Sequence, residues 1–152
     1  MSAVEDRLAE LGLTVPDVAK PVAAYVPAVR TGNYIFTSGQ LPMRDGSLMA
    51  TGKVGGEVSL EDAAQYAQQC ALNAIAAVKA EIGDLDAVKR VVKVVAFVAS
   101  TPDFTGQPAV ANGASELLGQ VFGPAGVHAR SAVGVPVLPL DAPVEVEILV
   151  EV

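Results

Sequence analysis

The residues best equipped to act on another molecule lie in the closing stretch His128–Val152, HARSAVGVPVLPLDAPVEVEILVEV. Arg130 is the sharpest case. It opens an alternating run in which the following same-face residues, Ala132 and Gly134, are small. They leave room beside a guanidinium whose planar fork binds a carboxylate through two parallel hydrogen bonds. The competing reading is an ion pair with Glu145, Glu147 or Glu151 on a neighbouring strand, and spacing alone leans towards that pair. His128 precedes Arg130 by two residues and shares its face if the strand extends that far. It is then either a general base or, as is commoner for a lone histidine, a surface or interface residue. One histidine and one cysteine cannot supply a closed zinc or iron site. Gly52–Gly56 lacks phosphate-loop spacing, and no Ser-His-Asp order is evident.

Two strands must carry these groups. Arg130–Val137 alternates with Ser131, Val133, Val135 and Val137 on one face. Val144–Val152 places Val144, Val146, Ile148, Val150 and Val152 on one side and Glu145, Glu147, Leu149 and Glu151 on the other. Leu138–Pro143 between them, with two prolines and an aspartate, suits a turn. The two strands are expected to form a closing hairpin.

Earlier in the chain, Val4, Leu8 and Leu11 followed by Gly12 predict a short surface helix. Ala24–Arg30 and Tyr34–Ser38 predict two strands turning at Thr31-Gly32-Asn33. Gln40–Gly56 reads as a loop with an Asp45-Gly46 turn and a short strand around Leu48. Ser59-Leu60-Glu61-Asp62 resembles a capping box opening a long helix to Ile82, with Gly83 as the stop. Cys70, in its middle, reads as a small buried hydrophobe rather than a reactive thiol. Val88–Ala99 predicts a central strand, and Val110, Ala114, Leu117, Leu118 and Val121 share one face of a second helix. The order β-β-α-β-α-β-β predicts an α+β domain, a single mixed sheet with two helices packed on one face.

Residues 1–152 fit one domain, with 1–21 as an N-terminal helix and connector. The chain is 51% apolar and 18% charged, yet the longest uncharged run, Ala63–Val78, is shorter than the ~20 residues of a membrane helix. The apolar surplus points to a subunit interface instead. A start without a basic region or apolar core makes the cytoplasm the expected location. A net charge of −7 without a basic cluster disfavours nucleic acid.

Asn33-Tyr34-Ile35-Phe36-Thr37-Ser38-Gly39-Gln40-Leu41-Pro42 near the start, with Ala129-Arg130-Ser131, Leu138-Pro139 and Val144-Glu145-Val146-Glu147 near the end, resemble the RidA/YjgF family of 2-iminoacid deaminases in both order and separation. The resemblance runs from Val22 to Val152. It implies a chorismate-mutase-like fold and a homotrimer with ligand sites in the clefts between subunits. Carried over by position, the family's carboxylate-binding arginine falls on Arg130, and the acidic residue that positions the hydrolytic water falls on Glu145. The early tyrosine falls on Tyr25, and the serine and glycine of the Thr-Ser-Gly-Gln motif on Ser38 and Gly39. The helix asparagine falls on Asn112, across a segment between Phe104 and Arg130 that is longer than in typical members. Ala132 stands where the family often has cysteine. These departures, with the additional N-terminal helix, mark a divergent subgroup.

The resemblance implies hydrolysis of small 2-imino or enamine acids to 2-keto acids and ammonia, without a cofactor or metal. Backbone N–H groups near Gly39 and Ala132 would receive the developing polarity. A binding or regulatory trimer that holds a small 2-keto acid with little turnover is the alternative. Endoribonuclease activity has also been attached to the family, but the acidic chain argues against it. In a regular hairpin Glu145 would lie opposite a residue near Pro136, roughly 20 Å along the strand from Arg130 at ~3.3 Å per residue. The two are therefore expected to meet a small ligand only from different subunits.

Overall fold

A computed structural model describes residues 1–21 and 24–152. Val22 and Ala23, at the start of the stretch that carries the resemblance, lie outside the described residues. The elements are α1 (Ala3–Glu10), β1 (Ala28–Thr31), β2 (Tyr34–Thr37), β3 (Met43–Arg44), β4 (Ser47–Leu48), α2 (Leu60–Ile82), β5 (Arg90–Ala99), α3 (Gln107–Phe122), β6 (Ala129–Val135) and β7 (Val144–Glu151). Five strands form one mixed sheet in the order β1-β2-β7-β5-β6, and β3 and β4 form a separate two-stranded ribbon. α2 and α3 cover one face, as the pattern of elements predicts.

Local signals account for the elements. Ser59 accepts a hydrogen bond from the Asp62 N–H at 3.1 Å and so caps α2. Gly83 ends the helix at φ +77°. In the ribbon, Asp45 and Gly46 take φ values of +52° and +83°, the pair of left-handed residues that a two-residue hairpin turn demands. The alanine-rich face of α2 lets α3 come close enough that a Cβ on Gly113 would lie 1.8 Å from the Ala64 carbonyl oxygen. Only glycine fits there. Val144, Val146, Ile148 and Val150 of β7 and Val91, Val94, Ala96 and Val98 of β5 point into the core beneath the helices.

Three expectations change. The closing hairpin does not form: β6 pairs only with β5, in parallel, and β5 lies between β6 and β7. The reason is that β5-α3-β6 is a strand–helix–strand crossover, which places consecutive strands side by side and parallel. The predicted strand over Ala24–Arg30 shortens to Ala28–Thr31, because its first residues form a bend. Finally, α1 is no mere surface helix. Val4 and Leu8 are buried, Arg7 donates to the Val121 carbonyl at 2.8 Å, and Glu5 pairs with Lys79. Burial comes from α3, which the sequence of α1 cannot show. Among the described residues no helix is long and apolar enough to cross a membrane.

Candidate active site

Arg130 sits near the start of β6, the edge strand, in register with Val94 of β5 and so on the helix-covered face. Its Nη1 donates to Asn112 Oδ1 at 2.8 Å and to Ser115 Oγ at 3.1 Å, and its Nη2 donates to the Pro108 carbonyl at 3.3 Å. All three acceptors lie on the exposed flank of α3. They fix the guanidinium plane, yet each is neutral, and among the described residues no carboxylate pairs with Arg130. Nε and the second Nη2 proton make no hydrogen bond among the described residues. Donors left free in this way can meet a carboxylate. The ion pair with Glu145, Glu147 or Glu151 is thereby overturned, since β5 separates the two strands and those glutamates face the other way.

Asn112 therefore holds the arginine through its carboxamide oxygen. Ser115 was not foreseen, because a serine inside an alanine-rich helix carries no sequence signal of its own. Its hydroxyl also meets His128 Nε2 at 2.9 Å, while His128 Nδ1 meets the Gly126 carbonyl at 2.6 Å. His128 thus shares the face of Arg130, as its two-residue spacing predicts. Ala132, next on that face, packs against the core.

Glu145 lies on β7 in register with Phe97 of β5, on the open face of the sheet. Burial raises its carboxyl above the usual value, and the nearby Glu147 charge adds to the effect. Gly39 lies against it: a Cβ there would stand 2.8 Å from Glu145 Cδ and 3.0 Å from Oε1. The backbone around Gly39 is held on both sides, by Gln40 N–H to the Val146 carbonyl at 2.8 Å and Ser38 N–H to the Pro27 carbonyl at 2.8 Å. Ser38 Oγ donates to the Val26 carbonyl at 2.6 Å, which ties the segment carrying exposed Tyr25 to the end of β2. A second residue sequence reasoning missed is buried Asn73 on α2. Its Nδ2 donates to the Leu41 and Met43 carbonyls at 3.0 Å each and anchors the loop that follows Gly39. Gly39 therefore lies with Glu145, Ser38 beside it in the chain is tied to the carbonyl next to Tyr25, and Arg130, Asn112 and Ala132 form another group, with Arg130 and Glu145 on opposite faces of the sheet.

Arg130 and Glu145 are two strands apart and three residues out of register through β5. At ~4.8 Å per strand and ~3.3 Å per residue, their Cα atoms are roughly 14 Å apart, with side chains directed away from each other. The expected route, a hairpin opposing Glu145 to Pro136, is wrong, but within one chain the two groups still do not converge. Among the described residues no three His, Cys, Asp or Glu side chains gather as a metal site. Cys70 is fully buried, its thiol pushed well up by burial and secondarily by the Glu145 charge, and its Sγ donates to the Val144 carbonyl at 3.8 Å. It is core, as expected.

An α+β layer with an arginine at a sheet edge and a half-buried glutamate on the open face defines the class, and the comparisons define the family. Residues 5–152 match the family model described as "YjgF/chorismate_mutase-like, putative endoribonuclease". The chain belongs to this family. It is 46% identical over 149 residues to Protein TCP17 of Trypanosoma cruzi, covering 97% of this chain and 93% of that one. It is 33% identical over 139 residues to a protein of Dermatophagoides farinae named 2-iminobutanoate/2-iminopropanoate deaminase, covering 91% and 93%. A crystal structure of a protein of unknown function from Agrobacterium tumefaciens superposes with a TM-score of 0.93 at 46% identity, covering 99% and 93%. The chain stands nearer to TCP17 than to the deaminase, in keeping with a divergent subgroup.

Proposed function

We propose that this protein hydrolyses small 2-imino or enamine acids to 2-keto acids and ammonia, as a homotrimer with its sites between subunits. One observation carries the reading: a guanidinium pre-oriented by three neutral acceptors, paired with no carboxylate among the described residues, with its bidentate edge open. Such a group selects a carboxylate-bearing ligand. Water adds to the C=N carbon, the carbinolamine C–N bond breaks, and ammonia leaves. Glu145 takes the proton from water and returns it to nitrogen. A raised pKa suits a carboxylate that must do both.

Geometry supports a site shared between subunits. A small imino acid held on Arg130 cannot reach the Glu145 of its own chain through the sheet, so a neighbour must supply it. Exposed Val29, Phe36 and Val133 on the open face provide apolar surface for that neighbour. The test mixes Arg130→Ala and Glu145→Gln subunits, each inactive alone, after dissociation and reassembly. Mixed oligomers should regain part of the ammonia release from an enamine generated in situ, because some interfaces then hold both intact residues. A preparation dead in every mixture would show that the site lies within one chain. Ligand binding without turnover would instead mark a carboxylate-binding module.

A further inference from the structure

Ser115 and His128 play no part in the reaction just described, yet they form a hydrogen-bonded chain that ends on Arg130. The Gly126 carbonyl meets His128 Nδ1 at 2.6 Å, His128 Nε2 meets Ser115 Oγ at 2.9 Å, and Ser115 Oγ meets Arg130 Nη1 at 3.1 Å. With a neutral imidazole, the two ends set the direction of every bond. A carbonyl only accepts, so His128 carries its proton on Nδ1. A guanidinium only donates, so Ser115 Oγ accepts from Arg130. Ser115 then has one proton to give, and His128 Nε2 is the acceptor in reach. The chain is thus polarised from Arg130 through Ser115 and His128 to a backbone carbonyl fixed in the turn between α3 and β6.

We infer that Ser115 and His128 are positioning residues for carboxylate recognition by Arg130. An arginine side chain loses considerable rotamer freedom on ordering, and this one stands at the edge of the sheet. Asn112 constrains one Nη1 proton, and the Pro108 carbonyl holds Nη2 more loosely at 3.3 Å. Ser115 takes the other Nη1 proton and so tightens the plane that these two contacts set, leaving Nε without a protein partner among the described residues. His128 in turn stops the Ser115 hydroxyl from rotating its lone pair away from Arg130. The result is a fork ordered before a ligand arrives, for small 2-keto or 2-imino carboxylates, which lowers the ordering cost of binding. The inference rests on the reading of Arg130 as the carboxylate site.

The probe is 2-ketobutyrate, titrated calorimetrically into the purified oligomer, with thermal melts to verify folding. Arg130→Ala should abolish binding. Ser115→Ala and His128→Asn should each weaken it about tenfold, the scale of a hydrogen bond to a charged group. His128→Gln should stay within about twofold, because the glutamine oxygen reaches the position of Nε2, whereas asparagine matches only Nδ1. In turnover the loss should appear in KM with kcat nearly unchanged. If Ser115→Ala binds as the wild type does while Arg130→Ala does not, the positioning role fails alone. Equal losses in His128→Gln and His128→Asn would also overturn it, since packing alone gives that pattern. If Arg130→Ala binds normally, or the wild type does not bind at all, both this inference and the carboxylate site fall.

Discussion

Gly39→Ala should separate catalysis from folding. The added Cβ would stand 2.8 Å from Glu145 Cδ, 3.0 Å from Oε1 and 3.1 Å from Cγ, whereas carbon atoms settle at ~3.5–4.0 Å. Something must move by roughly 0.7–1 Å. The backbone at 38–40 resists, because Gln40 and Val146 exchange N–H···O bonds of 2.8 and 3.0 Å and Ser38 is bonded to Pro27. The half-buried Glu145 side chain is the softer partner. Overpacking typically costs ~1–3 kcal/mol, and a carboxylate that can swing towards solvent puts this case near 1. For a chain of this size that lowers Tm by about 2–4 °C. A displacement near 1 Å at a catalytic group, in contrast, costs about 10²-fold in rate, which is ~2.7 kcal/mol of barrier. Ammonia release measured beside thermal melts reads both. The double variant with Glu145→Gln should be no slower than Glu145→Gln alone, because both changes act through one carboxylate. Activity within threefold of wild type in folded Gly39→Ala would refute the placement of Glu145 at the reacting centre.

Two more predictions use the same assays. Glu145→Gln should lower turnover by ~10²–10⁴-fold without destabilising the fold. Burial and Glu147 raise the carboxyl's folded-state pKa above its unfolded value. The ionised form therefore weakens the native state, a penalty absent below the unfolded pKa and complete above the folded one. The variant should match wild type in stability at acid pH and equal or exceed it at neutral pH; a variant less stable at neutral pH would show that the charged form is favoured in the fold. Cys70→Ala should cost ~1 kcal/mol from lost packing and leave deamination intact, and a folded but inactive variant would reassign the thiol.

Much of the local structure was legible because it is written in contiguous residues. The serine and acidic residues opening α2, the Asp45-Gly46 turn and the alternation of β7 each need only a short window. Strand pairing needs the whole chain. Nothing in Ala129–Val135 says that its partner is the parallel β5, and a Leu138–Pro143 turn is equally compatible with a hairpin and with a strand that passes over one neighbour. β5 blurs its own alternation as well, because a register shift between Val91 and Lys93 puts Val91 and Val94, three residues apart, on the same buried face. Of the candidate site, Arg130 stood out by its strand pattern, Glu145, Ser38 and Gly39 came from motifs, and Asn112 came by position across a longer segment; the structure brings Arg130 onto Asn112 and Glu145 onto Gly39. Ser115 and Asn73 stayed hidden since their roles depend on which carbonyl or guanidinium the fold delivers to them.

The strand order also explains why Arg130 and Glu145 stand on opposite faces of one sheet. A guanidinium in the interior of the helix-covered face would be stripped of water on all sides at a cost of several kcal/mol. On the edge strand β6 it keeps one side open, and α3 supplies neutral oxygens to the other. Glu145, on the interior strand β7, must face away from that core for the same reason, so it occupies the open face with Glu147. Alternation then forbids the two charges from meeting within one chain, whatever the loop lengths. They can share a small ligand only where the edge of one sheet meets the open face of another, and there Val29, Phe36 and Val133 leave apolar surface for a neighbour to cover. Charging that face, as in Val133→Lys, should therefore dissociate the oligomer and abolish turnover together while leaving the monomer folded, a result readable by light scattering. A Val133→Lys protein that stays oligomeric and active would break the link between the open face and the site.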